Sequence, residues 1–407
     1  MPRLLVDVSP LRASRDFRLL FSGQLVSMMG NQITIVAVAI QVWDLTHSTL
    51  QVGAISLVSL PFLVIGSLYG GTVGDVVDKR RLLAFSALGL SALTGAIAVN
   101  AAVAHPSLVA LYALTALAAG LTGFSNPSRN AAVPRLVAGD KLLAAYSLNQ
   151  TTIQLATVVG PALGGVIAAF SLPAAYVTDA VSFFAIFAAT LAMSPLPPLT
   201  HARRPGLGAI REGFSYLRGR QVLQGVYLLD LNAMILGMPS ALFPAFAAQR
   251  FHAGSVVVGL LYAAPGVGGF LGAFTTGWVG GVRRRGRAVV VAVVVWGLAI
   301  AAFGISSILW VALVLLAIAG WADVISAILR NTILQQSIGE EFRTRLSSIQ
   351  MAVVTGGPRL GNFEAGAVAA LTTPAISAVS GGLGCAVGAL LLAWRLPRFT
   401  AEVAPGR

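Results

Sequence analysis

The sequence has few charged residues and a single cysteine. Asp, Glu, Lys and Arg together make up 10% of the 407 residues, whereas soluble domains carry about a quarter. This scarcity of charge excludes an ordinary soluble domain. Cys385 has no second cysteine to pair with, which excludes an intrachain disulfide and a thiolate metal site. The four histidines have no spacing typical of a metal site or a catalytic dyad, and no Walker loop is present. We therefore expect no metal, no cofactor and no enzyme.

Most of the residues in the chain are apolar. The hydrophobic fraction is 57% and the mean hydropathy is +0.84. Since a membrane-spanning helix needs roughly 20 apolar residues, a chain of this length with short connections has room for about twelve. We predict an all-α membrane protein whose spans are 17–43, 50–74, 81–104, 108–127, 142–170, 172–194, 222–249, 254–282, 286–306, 308–330, 344–371 and 373–396.

The positive charges are distributed unevenly along the chain. The net charge is +13, and every Lys and Arg except Arg250 and Arg359 falls before the first predicted span or after every second one. The positive-inside rule places these segments, and both termini, in the cytoplasm. The first apolar run, near Phe17, has no cleavage site behind it and reads as a retained span. We expect a multi-pass protein of the bacterial inner membrane, surrounded by the lipid bilayer, with no nucleic-acid partner.

The two halves of the chain repeat each other. The repeated pairs are Gly139-Asp140 and Gly339-Glu340, Arg129-Asn130 and Arg330-Asn331, Gln150 and Gln350, and the Gly-Pro segments that begin at Gly160 and Gly357. A duplicated set of apolar runs predicts two six-helix bundles related by an axis along the membrane normal. The predicted domains are residues 1–195, a linker at 196–221, and residues 222–407.

The linker has its own periodic pattern. Leu207, Ile210, Phe214 and Leu217 recur at helical spacing, opposite Arg211 and Arg218. This pattern predicts a short amphipathic helix on the cytoplasmic surface of the membrane. A solvated loop is the alternative.

A motif follows the second predicted span. Gly71 and Asp75 precede a basic cluster of Lys79, Arg80 and Arg81, and this order is similar to the loop signature of the major facilitator superfamily. In that reading, glycine allows two helix ends to approach closely, and the acid accepts from basic residues and helix N-termini. The resemblance implies a conformational latch. The alternative is that the basic residues only anchor the loop on the cytoplasmic side.

A second motif lies in the fifth predicted span. Gly160, Pro161, Gly164 and Gly165 resemble the end of the antiporter signature of exporters, although Ala156 stands where a glycine is expected. Across the whole chain, matches such as 45–53, 213–217, 259–264 and 320–321 resemble the enterobactin (siderophore) exporters and related multidrug efflux proteins.

The resemblance implies a transporter with two pseudo-symmetric bundles, in this case a monomer that exports a small molecule by alternating access in exchange for protons. The leading cargo is a siderophore of the enterobactin type. Multidrug efflux of lipophilic compounds is the alternative, and a non-transporting membrane sensor or scaffold is the rival from another class. The fourth span has Ala116 near the place where many proton-coupled members carry arginine.

Ionisable residues within the predicted spans are the best indicators of function, since each costs at least about 2.5–3.5 kcal/mol at the bilayer centre. We predict proton coupling or substrate binding at Asp230, Asp323, Arg359 and Glu364, with packing or hydrogen bonding as the main role of Asp179. Arg359 is expected to bind either an anionic substrate or a paired carboxylate, which Asp230 or Asp323 could supply. A fixed structural ion pair is the alternative.

Uncharged polar residues within the spans form a further candidate set. We predict that they line the cavity, although some are expected to hydrogen-bond between helices instead: Gln24, Asn31, Gln32, Gln150, Gln154 and Asn232.

Overall fold

A computed structural model describes residues 7–198, 215–337 and 340–402, which are largely helical. Twelve long helices occupy these ranges. They are α1 (Arg15–Thr46), α2 (Thr49–Val76), α3 (Lys79–Ala102), α4 (Leu108–Leu136), α5 (Leu142–Phe170), α6 (Leu172–Leu191), α7 (Gln221–Leu236), α8 (Ser255–Phe274), α9 (Arg285–Ile305), α10 (Leu309–Ser337), α11 (Glu340–Leu371) and α12 (Pro374–Arg395).

Eleven of the helical segments in the described part of the chain are long and apolar enough to cross a membrane. The remaining long helix, α11, has 32 residues and is more polar, because it carries Gln350, Arg359, Asn362 and Glu364. The predicted all-α membrane fold is confirmed. The most polar long helix is also the one that holds two of the predicted functional charges.

Two predicted spans are interrupted. The span predicted at 222–249 ends as α7 at Leu236, and a 3₁₀ turn, one α-helical turn and a π-helical turn follow from Ser240 to Arg250. Pro239 has no N–H to continue the ladder, while the Gly237 carbonyl accepts from Trp296 Nε1 at 3.1 Å. The span predicted at 254–282 likewise ends at Phe274, before a 3₁₀ turn at Thr276–Gly281.

Two other helices extend beyond their predicted ends. α4 continues from the expected end at 127 to Leu136, and α10 continues from 330 to Ser337. In α4 the extension has an apolar face, with Val133 packed against Phe17 and Ala132 against Leu20. The basic residues placed by sequence in connecting loops, Arg129 and Arg330 among them, therefore lie on helices.

The described residues form two compact units. The first takes its residues from 1–46, 58–204 and 254–263, and the second from 47–57, 205–253 and 264–407. In the first unit the main helix pairs are α1 with α5 and α6, and α3 with α4 and α6. In the second they are α7 with α11 and α12, and α9 with α10 and α12. The internal packing of the two units thus follows the same plan, as the duplicated sequence predicts. Most of the predicted amphipathic linker helix lies outside the described residues.

Candidate functional site

A buried ion pair joins α10 to α7 inside the second unit. Arg330 Nη2 lies 2.9 Å from Asp230 Oδ1, and the exposed fractions of the two side chains are 4% and 0%. Arg330 Nη1 also donates to Ser326 Oγ, one turn earlier on α10, at 3.0 Å. Because an isolated charge at such depth costs several kcal/mol, each of these groups depends on the other.

A second carboxylate faces the same guanidinium. Asp323 lies two turns before Arg330 on α10, and its Oδ1 is 3.9 Å from Arg330 Nη2. Its side chain is 35% exposed, unlike that of Asp230. From α11, Gln350 Nε2 donates to Asp230 Oδ2 at 3.3 Å. We call Asp230, Asp323, Arg330 and Gln350 the Arg330 cluster.

The expected pairing of Arg359 with Asp230 or Asp323 is wrong. Both acids face Arg330, which lies within α10 at the residue where the predicted span ended. Arg359 Nη1 instead donates to the Thr355 carbonyl of its own helix at 2.8 Å. Among the described residues no carboxylate lies within ion-pair distance of Arg359. Glu364 is half-buried on α11.

Sequence reasoning missed Arg330, Ser326 and Gln350. Arg330 resembled a cytoplasmic anchor because it stands at the end of an apolar run, ahead of the basic residues Arg343 and Arg345 of the next connection. The signal that marks it is the repeat itself, in which Arg129 and Arg330, and Gln150 and Gln350, hold equivalent positions. A residue type that recurs at the same place in both halves is a candidate functional residue, even where it lies outside the apolar core of a span.

The glycines at the end of α2 pack against α4, although not where the motif places the contact. A Cβ at Gly71 would have open space around it, whereas at Gly70 it would meet the backbone of Phe124, and at Gly74 the hydroxyl of Ser128. The close approach expected at Gly71 is therefore made by Gly70 and Gly74.

The polar residues of this motif bind mainly to backbone groups. Asp78 is the N-cap of α3, and its carboxylate accepts from Arg80 N at 2.8 Å and Arg81 N at 3.3 Å. Lys79 Nζ donates to the Gly74 carbonyl at 2.6 Å, and the Arg80 guanidinium donates to the Leu191 carbonyl. Asp75 is half-buried and takes part in no ion pair within the described ranges. The helix N-terminus at this loop is capped by Asp78, which leaves the Asp75 carboxylate available.

The glycines of the second motif lie at close helix contacts within the first unit. A Cβ at Gly160 would meet Gln32 of α1, and a Cβ at Gly164 would lie 3.0 Å from Ile33 Cα. A Cβ at Gly165 would lie 2.8 Å from Gly259 Cα, which belongs to the same unit. Pro161 is accommodated inside the continuous helix α5.

The predicted lining residues divide into two groups. Asn232 is used between helices, since its Nδ2 donates to the Cys385 carbonyl of α12 at 2.8 Å. Gln24 is buried in the first unit. The others are partly or fully exposed: Asn31, Gln32, Gln150 and Gln154. Asp179 is buried and accepts from Thr34 Oγ1 of α1 at 2.6 Å, a hydrogen bond between helices.

Comparison with known proteins decides the family. The family model described as transmembrane secretion effector, of the major facilitator superfamily, matches residues 6–406. The chain is a transporter of the major facilitator superfamily. It belongs to a family of membrane transporters and not of enzymes, and it is a multi-pass inner-membrane protein that acts on small molecules within a lipid bilayer.

The transporter is similar over nearly its whole length to curated siderophore exporters. It is 30% identical over 391 residues to the enterobactin exporter EntS of Citrobacter koseri, an alignment that covers 95% of this chain and 93% of the relative. It is 29% identical over 392 residues to the enterobactin exporter EntS of Escherichia coli O139:H28, with 95% and 94% covered.

Solved structures of more distant proteins show the fold of this transporter. The nucleoside transporter NupG superposes with a TM-score of 0.76 at 12% identity, covering 94% of this chain and 98% of that chain. A bacterial homologue of the human lysosomal transporter Spinster, inward-facing and unoccupied, gives a TM-score of 0.71 at 14% identity, with 97% of both chains covered. The fold predicted from the duplicated sequence is thus confirmed.

Proposed function

We propose that this transporter exports a small amphipathic molecule from the cytoplasm in exchange for protons, by alternating access. The leading cargo is a siderophore of the enterobactin type. The observation that supports proton exchange is the Arg330 cluster, in which a single guanidinium faces two carboxylates within one unit.

The charges of the cluster provide a proton site. One Arg cannot neutralise two ionised acids, so the cluster carries a net negative charge until one acid is protonated. Asp230 is held by the 2.9 Å ion pair and by Gln350. Asp323 is farther from Arg330, at 3.9 Å, and its side chain is more exposed than that of Asp230. Asp323 is therefore the acid that loads and releases the proton, while Asp230 keeps Arg330 in place.

The similarity to enterobactin exporters supports the choice of cargo, and Arg359 agrees with it. Its guanidinium lies on the polar helix α11 and has no carboxylate partner among the described residues. A cation left unpaired in a span favours an anionic ligand. An anionic aromatic siderophore would satisfy Arg359, whereas a lipophilic cation would instead be attracted to Asp323 or Glu364.

The remaining expectations belong to the same proposal. The loop between α2 and α3, with Asp75 and its basic neighbours, acts as a latch that favours one conformation. The uneven distribution of Lys and Arg places both termini in the cytoplasm. The working protein in this proposal is a monomer, because the Arg330 cluster is formed within a single chain.

A deletion strain tests the proposed cargo. Loss of the transporter should retain siderophore inside the cell, and a plasmid carrying the wild-type chain or Glu402→Gln, a control acid near the C-terminal end that takes part in no ion pair within the described ranges, should restore secretion. Asp323→Asn should be produced normally and fail to restore it. Drug sensitivity with normal siderophore secretion would instead favour multidrug efflux. Normal secretion and normal drug tolerance in the deletion strain would favour a sensor or scaffold and contradict the proposal.

A further inference from the structure

The first unit contains an arginine equivalent to Arg330 that has no carboxylate within ion-pair distance among the described residues. Arg129 of α4 donates through Nη2 to Ser125 Oγ, one turn earlier, at 3.4 Å. Arg330 makes the same contact with Ser326 on α10. The two Ser-Arg pairs hold equivalent positions in the repeat, so the two guanidinium groups can be compared directly.

The place of the missing carboxylate can be identified on α1. On α1 the residue that shares a cavity with Arg129 is Ser27, whereas on α7 the residue that faces Arg330 is the acid Asp230. Ser27 is 5% exposed, and it lines a small cavity together with Arg129. Where the second unit has an acid facing its arginine, the first unit has a hydroxyl and a small cavity.

The cavity has the donors that an anion needs. It lies among α1, α3, α4 and α6, and its polar lining consists of Arg129, Ser27, Ser86, Ser125 and Thr190, with no acidic residue. Two of these groups have no partner: Arg129 Nε and Ser86 Oγ are both out of contact with solvent and without a hydrogen bond in the described structure. Buried donors without an acceptor are rare and costly. An anion between them would satisfy both.

We propose that this cavity binds a small monovalent anion of the chloride class, held by the Arg129 guanidinium and the Ser86 hydroxyl. The anion supplies the negative charge that Asp230 supplies to Arg330 in the second unit. The cavity has about the size that holds a single water molecule, which excludes a large anion such as gluconate and favours the smallest monovalent anions. The site is separate from the Arg330 cluster and does not depend on the proposed cargo.

Thermal unfolding of the purified full-length transporter tests this site. The melting temperature is measured while sodium chloride replaces sodium gluconate at constant ionic strength. Because a ligand that binds only the folded state stabilises it in a saturable way, we expect a saturable upward shift with chloride. Arg129→Gln and Ser86→Ala should abolish or strongly reduce this shift. Arg135→Gln, which removes an arginine of the same helix that binds a backbone carbonyl outside the cavity, should retain it.

The most specific variant in this test places a carboxylate at position 27. Ser27→Asp rebuilds in the first unit the pair seen in the second, so the protein should fold and its melting temperature should no longer respond to chloride. A chloride shift that persists in Ser27→Asp or in Ser86→Ala would overturn the proposal. So would a wild-type protein with no saturable shift, since the cavity would then hold water or nothing.

Discussion

Arg330 Nη2 and Asp230 Oδ1 lie 2.9 Å apart in the interior of the second unit, where neither side chain is more than 4% exposed. The pair joins α10 to α7, and Gln350 adds α11 through its bond to the same aspartate. A contact that connects three helices at one point affects both the stability of the unit and its response to protons.

Removal of Asp230 alone should destabilise the transporter. Asp230→Asn leaves the Arg330 guanidinium buried and without its nearest counter-charge, and breaking a buried pair from one side typically costs about 3–5 kcal/mol. We expect a clearly lower melting temperature in detergent. The double variant Asp230→Asn with Arg330→Gln removes both charges and should recover most of the loss. Additive losses in the double variant would show that the two residues do not act as a pair.

The sequence predicted the twelve helices and their duplication, because apolar runs and short polar connections determine both. It did not predict which charges meet. Arg330, the last residue of the predicted tenth span, was grouped with the basic residues of the next cytoplasmic connection, whereas within α10 it faces Asp230. Pairing across helices depends on the rotation of each helix and on where it ends, and a periodic apolar pattern determines neither to within one residue.

Arg359 should affect the cargo more than the fold. Its guanidinium bonds only to the Thr355 carbonyl of its own helix among the described residues, so Arg359→Gln should leave the melting temperature nearly unchanged. If the cargo is anionic, the variant should raise the KM for export of an enterobactin-type siderophore at least severalfold, and Arg359→Lys should recover part of the loss. An unchanged KM in Arg359→Gln would mean that this residue does not contact the cargo.

Neighbouring glycines at the end of α2 should respond differently to alanine. Gly70→Ala would press a methyl group against the backbone of Phe124, whereas Gly71→Ala would meet open space. Overpacking of this kind typically costs about 1–3 kcal/mol, so only the Gly70 variant should lower the melting temperature. Equal effects of the two variants would show that the α2–α4 contact differs from the one described above.

Substitutions of the two aspartates beside that contact, Asp75 and Asp78, should also have different effects. Asp78→Ala removes the N-cap of α3, a change that typically costs about 0.5–2 kcal/mol. Asp75→Asn breaks no ion pair within the described part of the chain, so stability should be retained while the export rate falls, as a latch requires. Full export activity in Asp75→Asn would remove the latch from the proposal.

The sequence therefore predicted only some of the contacts that the residues of this motif make. Glycine and acid were expected at Gly71 and Asp75, but the close approach involves Gly70 and Gly74, and the helix cap is Asp78. A short motif correctly predicts the helix end at which such residues lie. Their individual contacts depend on the rotation of that helix against its neighbour, which the motif does not encode.

Proton-driven export by wild-type protein and by Asp323→Asn, compared in everted membrane vesicles, tests the central claim most directly. An imposed pH gradient should drive uptake of an enterobactin-type siderophore into wild-type vesicles. In Asp323→Asn vesicles the gradient should produce no net accumulation, although exchange of labelled for unlabelled siderophore continues. Gradient-driven accumulation in Asp323→Asn vesicles, at the wild-type level, would contradict the account.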